Sequence, residues 1–330
     1  MSKERKQKKG LKAFGIIVLV LIIILAIIIG GTFWFVNSKL GKIQQVDLNE
    51  DDLSVSADVE KNLADYRNIA IFGIDSRSDN YNKGNRSDCI IIASINNKTK
   101  EVKLVSVYRD TYVQIEGHGL DKITHAYSYG EAPLAIKTLN TNLDLNIKEF
   151  VTVNFDAVKE IIDSIGGIRM TITSEEVSHI PGITTAGTYN LTGEQALAYA
   201  RIRYATGGDY KRTERMRDVL TAVANKVKTF NISQLNVFID QVLPRVYTNI
   251  SASEMFSLMP NVPSFKITES IGWPYETKGI TLDRWYGIPI TLESNVTNLH
   301  QRVFNEENYI PSDTVKQISN SIVTKTGYAK

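Results

Sequence analysis

The chain has 330 residues, 43% of them hydrophobic, enough for one large domain or two small ones, and a formal net charge of +2. That charge is uneven: residues 1–12 hold six Lys/Arg and one Glu, leaving 32 basic and 35 acidic side chains in the rest. A body that is net acidic lacks the basic face that broad nucleic-acid binding requires, and the single cysteine, Cys89, excludes an internal disulfide framework.

In chain order, residues 1–12 read as a basic cytoplasmic tail and residues 13–38 as a single transmembrane helix. Ala13 to Ser38 contain no charged side chain. As a helix they reach roughly 39 Å, against about 30 Å of hydrocarbon. Phe33, Trp34 and Phe35 stand where an aromatic belt is expected. The run is too long for a cleaved signal peptide and lacks a small-residue cleavage site. The positive-inside rule keeps the tail in the cytoplasm and puts everything beyond the span outside the cell. ATP is scarce there, so an energy-rich substrate has to be delivered, and a lipid carrier is one way. Residues 39–66, charged and mostly acidic with weak periodicity, read as an extracellular linker or a short helix.

The remainder predicts an α/β domain, a mixed central β-sheet flanked by helices on both faces. Strands are expected at 68–74, 89–96, 101–108, 149–155 and 168–172, each short, β-branched and bounded by turn residues. Cys89 falls in the second of these and reads as a packed, inert thiol. Helices are expected at 131–143, 156–165 (ended by Gly166-Gly167), 191–203, 211–230, 233–248, 251–260 and 295–304. Thr192 and Gln195 form a capping-box pattern at the start of one of them. Two later strands are expected at 265–273 and 279–292. The domain is bounded at 67–310, with 311–330 as a C-terminal tail.

The usual catalytic motifs are absent: no GxSxG, no HExxH, no Walker GxxxxGK[ST]. "GHGLDK" at 117–122 lacks the last glycine of a dinucleotide fingerprint. His118, His179 and His300 lack metal-ligand spacing and read as surface or loop residues. Charges instead gather at strand ends. Asp75 and Arg77 follow one strand, Arg86 and Asp88 precede the next, and Arg109 and Asp110 follow a third. Ligands of open α/β sheets bind beyond strand ends.

Residues 201–217 then hold five of the fourteen arginines, in a chain with twenty-four lysines. Arg212 and Arg215 share a helix face and are expected in the helix's first turn, where a cation opposes the dipole unless an anion sits on it. Arg201 and Arg203 converge only if their helix frays before Gly207-Gly208. Arg217 points away and reads as solvated. Arginine suits bidentate phosphate contacts. Asp75 and Asp88 fit beside phosphate if a divalent cation such as Mg²⁺ bridges them to it. Together these residues point to phosphoryl transfer.

The pieces "GIDSR", "NRSD", "SVYRDT", "KITHAYSYG", "DSIGGI", "LTGEQALAYARIR" and "GDYKRTERMRDVL", behind a short tail and one span, resemble the LytR–CpsA–Psr family. Two positions depart from its pattern, Tyr108 for a usual Pro and Met216 for a usual Gln. The resemblance implies an LCP-type catalytic domain. It also implies a membrane-anchored phosphotransferase that moves a glycopolymer from an undecaprenyl-pyrophosphate carrier to a muramic acid hydroxyl of peptidoglycan, through a phosphodiester. The polymer could be teichoic acid, capsule or a rhamnose-type polysaccharide.

By the same resemblance, Asp75 and Asp88 hold Mg²⁺ (or Mn²⁺), and Asp75, Asp88, Arg109 and Arg212 form the catalytic set. Arg77, Arg86, Arg109, Arg201, Arg203, Arg212 and Arg215 bind pyrophosphate, with Arg77 and Asp209 orienting the group. Val151, Val153, Ile161, Leu197, Val219 and Val223 line a prenyl slot, although each also reads as ordinary core. Either Asp75 or Asp88 serves as general base. Lys122 and His125 belong to the pattern without an assigned role. Two other readings remain: a polyprenyl-pyrophosphate hydrolase using water, and a non-enzymatic envelope regulator, for which twelve cytoplasmic residues are a poor reader of DNA.

Overall fold

The computed structural model describes residues 44–76, 81, 84–203 and 208–329. The expected tail at 1–12, the span at 13–38, Arg77, Gly207 and the Asp209 side chain lie outside what is described. Among the described residues no helix is long and apolar enough to cross a membrane.

A two-residue strand β1 (Gln44–Gln45) and a helix α1 (Ala57–Asn62) precede three long strands, β2 (Tyr66–Ile74), β3 (Ser87–Asn96) and β4 (Glu101–Val107). A hairpin of β5 (Tyr112–Ile115) and β6 (Gly119–Lys122) leads into α2 (Ile123–Leu143). β7 (Glu149–Asn154) runs into α3 (Phe155–Ser164), and a second hairpin, β8 (Ile168–Ile172) with β9 (Gly187–Leu191), runs into α4 (Gly193–Ala200). Then come α5 (Gly208–Val227), α6 (Ile232–Val242), β10 (Tyr247–Thr248), α7 (Ala252–Leu258) and β11 (Lys266–Trp273). A third hairpin, β12 (Thr277–Thr281) with β13 (Trp285–Pro289), precedes α8 (Leu292–Phe304) and α9 (Asp313–Thr326).

Seven strands form one mixed sheet in the order β1-β10-β7-β2-β3-β4-β11. β2 is parallel to β7 and antiparallel to β3, which is antiparallel to β4, and β4 is parallel to β11. These directions bring the end of β2, the start of β3 and the ends of β4 and β7 to one edge. The segments carrying Asp75, Asp88, Arg109 and Phe155 therefore meet there, whatever their distance in sequence.

Strand side chains alternate between two faces. Ile90 and Ile92 of β3 enter the larger core with Phe72, Val105, Val107 and the inner sides of α2, α8 and α9. Ile91 and Ala93 point the other way, to Leu104 and to Leu220 of α5. A third cluster joins Ile162 of α3, the second hairpin, α4 and Val219 of α5. Helices thus cover both faces of the sheet, as the sequence pattern predicts.

The capping box at α4 is formed, with Gln195 N–H donating to Thr192 Oγ1 at 3.3 Å and Thr192 N–H to Gln195 Oε1 at 3.1 Å. Gly167 closes the turn after α3 at φ +80°, and a Cβ there would stand 2.6 Å from the Leu191 carbonyl.

Several expectations need correction. Residues 279–292 are a hairpin and the start of α8 rather than one strand, because the backbone reverses at Leu282–Arg284. The 39–66 linker is part of the domain from Gln44 onward: β1 pairs with β10, Val46 and Leu48 pack on the main core, and Leu53 and Leu63 are buried. The 311–330 tail carries α9, whose Val315, Ile318 and Ile322 lie in the main core. His300 is not a surface residue: it is buried, bonded to Glu306 through Nδ1 at 2.6 Å and to the Leu143 carbonyl through Nε2 at 3.0 Å.

Candidate functional site

A cavity of about 610 Å³ opens at the strand edge just described. Its polar walls are Asp75, Ser76, Asp88, Asp156, Arg201, Arg203 and Arg212, and its apolar walls are Phe155 and Met216. Asp75 lies one residue past β2, and Asp88 is the second residue of β3. Arg201 caps the C-terminus of α4, and Arg203 follows where the helix has ended. That ending is what lets two arginines two apart face one cavity.

Arg201 Nη2 reaches Asp75 Oδ1 at 3.4 Å, joining residues 126 apart in sequence. Its guanidinium also lies 4.3 Å from the centre of the Phe155 ring, a cation–π contact that keeps it over the cavity floor. Arg109 Nη1 donates to Asp88 Oδ1 at 2.8 Å, and its Nε lies 3.5 Å from Asp110 Oδ2. Asp110 in turn accepts from Lys122 Nζ at 2.6 Å. Lys122 thereby gains a place: it ends a chain of alternating charges leading to Asp88. His125 is buried, with Nδ1 2.8 Å from Asp121 Oδ2. Asp121 also accepts from the Tyr129 hydroxyl, and these bonds hold its carboxyl below the usual range although burial opposes them.

The arginines of α5 separate. The helix begins at Gly208, so Arg212 lies in its second turn and Arg215 at the start of its third, neither in its first. Arg212 is 1% exposed and lines the cavity. Arg215 does not line it: Nε donates to Glu176 Oε1 at 2.8 Å and Nη1 to the Ile202 carbonyl at 3.3 Å. Glu176 is fixed by Thr173 N–H at 3.0 Å, and hydrogen bonds from Thr173 and Arg215 lower its pKa against the pull of burial. Ile202 separates Arg201 from Arg203, so Arg215 holds the backbone of the pair rather than facing the cavity.

Arg217 is not solvated. It is 5% exposed, donates from Nε to Ser270 Oγ at 2.9 Å, and burial lowers its pKa. A helix wedged between the sheet and the second hairpin is buried on both sides, so the face opposite Arg215 is not a solvent face.

Arg86 is exposed and does not line the cavity. Of the expected prenyl walls, Val219 is buried, while Val151, Val153, Ile161, Leu197 and Val223 are half-buried. Val151 and Val153 occupy the face of β7 opposite Phe150 and Thr152. Sequence reading missed Asp156, a third carboxylate on the cavity in the first turn of α3. The Asn154 N-cap, whose side chain accepts from Ala157 N–H at 2.7 Å, was its available signal.

Among the described residues no group of three or more His, Cys, Asp or Glu side chains is arranged as a closed metal site. The donor set nonetheless fits Mg²⁺, which takes one or two carboxylates and completes its shell with water and substrate phosphate oxygens. Asp75 and Asp88 would supply the carboxylates, and the arginines mark where phosphate charge would lie.

The model of the LytR_cpsA_psr family matches residues 32–288. The chain is 33% identical over 296 residues to the polyisoprenyl-teichoic acid–peptidoglycan teichoic acid transferase TagT of Bacillus subtilis, covering 84% of this chain and 92% of that protein. It is 34% identical over 253 residues to the transferase TagU of Enterococcus faecalis, covering 75% and 82%. The structure of the LytR-CPS2A-psr family protein YwtF (TagT) with bound octaprenyl pyrophosphate lipid superposes with a TM-score of 0.55 at 25% identity, covering 81% of this chain and 92% of that one.

Proposed function

The chain belongs to the LytR–CpsA–Psr family, and we propose that it transfers a glycopolymer from a polyprenyl-pyrophosphate carrier to peptidoglycan. The observation that carries this reading is the convergence of Arg201, Arg203 and Arg212 with Asp75 and Asp88 on one cavity at a sheet edge. A pyrophosphate needs several fixed cations and a dry, shaped site, and phosphoryl transfer is catalysed mainly by positioning and charge neutralisation.

The acceptor hydroxyl oxygen attacks the polymer-side phosphorus. The new P–O bond forms as the bridging P–O bond breaks, prenyl phosphate leaves, and a cavity carboxylate takes the hydroxyl proton. Arg201, Arg203 and Arg212 bind the pyrophosphate oxygens, and Arg109 fixes Asp88 from behind. Asp75 and Asp88 would hold Mg²⁺ or Mn²⁺, which neutralises phosphate charge when bound. The half-buried apolar side chains of β7, α3, α4 and α5 receive the prenyl chain. Residues 13–38 anchor the protein in the membrane with the domain outside, where the carrier and peptidoglycan both lie.

The test is transfer from a lipid-pyrophosphate-linked polymer, assayed with and without peptidoglycan acceptor. Arg109→Ala and Arg212→Ala should each abolish acceptor-dependent product while circular dichroism stays native. Wild-type transfer by both variants overturns the reading, and equal release of prenyl phosphate without acceptor replaces it with hydrolysis.

A further inference from the structure

Trp285 is 46% exposed, the most exposed tryptophan among the described residues. Its hairpin neighbours Tyr286 and Ile288 are buried in the main core, so the exposure belongs to one face of the hairpin. That face is built to carry an indole. Gly279 and Gly287 pair directly across β12 and β13. A Cβ on Gly279 would stand 2.9 Å from Trp285 Nε1, and one on Gly287 would stand 3.8 Å from its Cη2. Gly279 leaves room for the ring to lie on the backbone, while a side chain at Gly287 would only touch it.

The platform is tied to the catalytic edge. Gly287 N–H donates to the Asp110 carbonyl at 2.9 Å, and Thr111 forms a β-bridge with Gly287. Asp110 follows Arg109, which holds Asp88. Nearby, Tyr129 is 36% exposed and stacks on His118, with ring centres 4.0 Å apart and planes 9° apart. The Asp121 bond raises the Tyr129 phenol, with the charges of Arg284 and Arg86 opposing it. With Asp121 bonded to Tyr129 and the Asp283–Arg284 pair just before Trp285, the exposed rings combine stacking area with planar hydrogen-bonding groups. Sugar rings need both, because their C–H faces pack on aromatic rings while their hydroxyls bond to carboxylates and guanidinia.

The side on which the platform sits selects between the two glycans of the reaction. The arginines and Phe155 that face the cavity come from α3, α4 and α5, on the sheet face of Ile91 and Leu104. The third hairpin packs on the other face, with Tyr286 and Ile288 in the core of α2 and α8. The two sides come together at the strand edge of Arg109 and Asp110, where Gly287 N–H holds the Asp110 carbonyl. We propose that Trp285 and the Tyr129–His118 stack form a docking surface for the glycan strand of the peptidoglycan acceptor, a role that rests on the transferase reading above.

The experiment uses the full chain in detergent micelles and a soluble N-acetylglucosamine–N-acetylmuramic acid oligosaccharide. Isothermal titration should give a Kd about tenfold weaker for Trp285→Ala and an intermediate one for Trp285→Phe, since one buried aromatic anchor commonly decides a weak interface. Gly279→Val, which keeps the tryptophan but fills the space beneath it, should weaken binding in the same direction. In the transfer assay Trp285→Ala should raise the acceptor KM by a similar factor, leaving the donor KM and the rate at saturating acceptor unchanged. Unaltered oligosaccharide binding in Trp285→Ala overturns the proposal, as does a change confined to the donor KM. Trp285-dependent binding in a wild-type protein that transfers nothing would instead remove the transferase reading and leave the glycan surface standing.

Discussion

Arg215 Nε donates to Glu176 Oε1 at 2.8 Å between side chains only 3% and 6% exposed, and the same guanidinium holds the Ile202 carbonyl at 3.3 Å. The bond links the loop after β8 to α5 and, through Ile202, to Arg201 and Arg203, two of the three arginines that line the cavity. An arginine expected to bind pyrophosphate instead holds the backbone between two arginines of the cavity.

Removing one partner of so buried a pair leaves the other charge uncompensated. Glu176→Ala is expected to destabilise the domain by about 3–5 kcal/mol. Denaturant titration across pH checks the origin of the loss. The Glu176 carboxyl has a lowered pKa in the folded state, so its contribution is present above the ordinary glutamate range and fades as pH falls through the folded value. The gap between wild type and variant should therefore close in acid. A gap that persists unchanged there would assign the loss to packing instead.

Asp88 carries a second expectation. Asp88→Asn keeps the shape beside Arg109 but removes the charge, and should lower transfer by about 10²–10³ while the fold survives. Asp75→Asn should do the same. Titrating Mg²⁺ in each variant separates lost metal binding, which higher concentration partly restores, from loss of the proton acceptor, which it does not restore.

Cys89 should be silent to thiol reagents. It faces Gly73 across β2 and β3, where a Cβ would stand 2.8 Å from its own, and burial pushes the thiol up to about 12. At pH 8 the native protein should react with a disulfide reagent far more slowly than the denatured chain. Equal rates would contradict the packed position.

The C-terminal helix makes a fourth test. Ser312 donates its N–H and hydroxyl to the two oxygens of Asp144 at 2.8 and 2.7 Å, and Tyr309 bonds the same carboxylate. Asp144 is 6% exposed. Asp144→Ala leaves these donors unmet and should cost about 1–3 kcal/mol. Deleting residues 311–330 should cost more, because it also uncovers Val315, Ile318 and Ile322. Native stability in the truncated chain would restore the boundary at 310.

The sequence by itself determined the alternation of strands and helices, because period-2 and period-3.6 patterning, glycine turns and the Thr192–Gln195 cap are local physics. It also singled out the charges at strand ends, because Arg and Asp beside an apolar run are legible without coordinates. Tertiary structure decided which of those charges face one another. Arg212, Arg215 and Arg217 differ in sequence by a few positions on one helix. Their fates depend on the cavity, on Glu176 thirty-nine residues away and on Ser270 fifty-three residues away. Helical periodicity fixes the angle between such side chains but not what stands opposite each, and α5 is covered on more than one side. The same limit hid the third hairpin, whose exposed tryptophan lies over Gly279, a residue that only strand register brings beneath it.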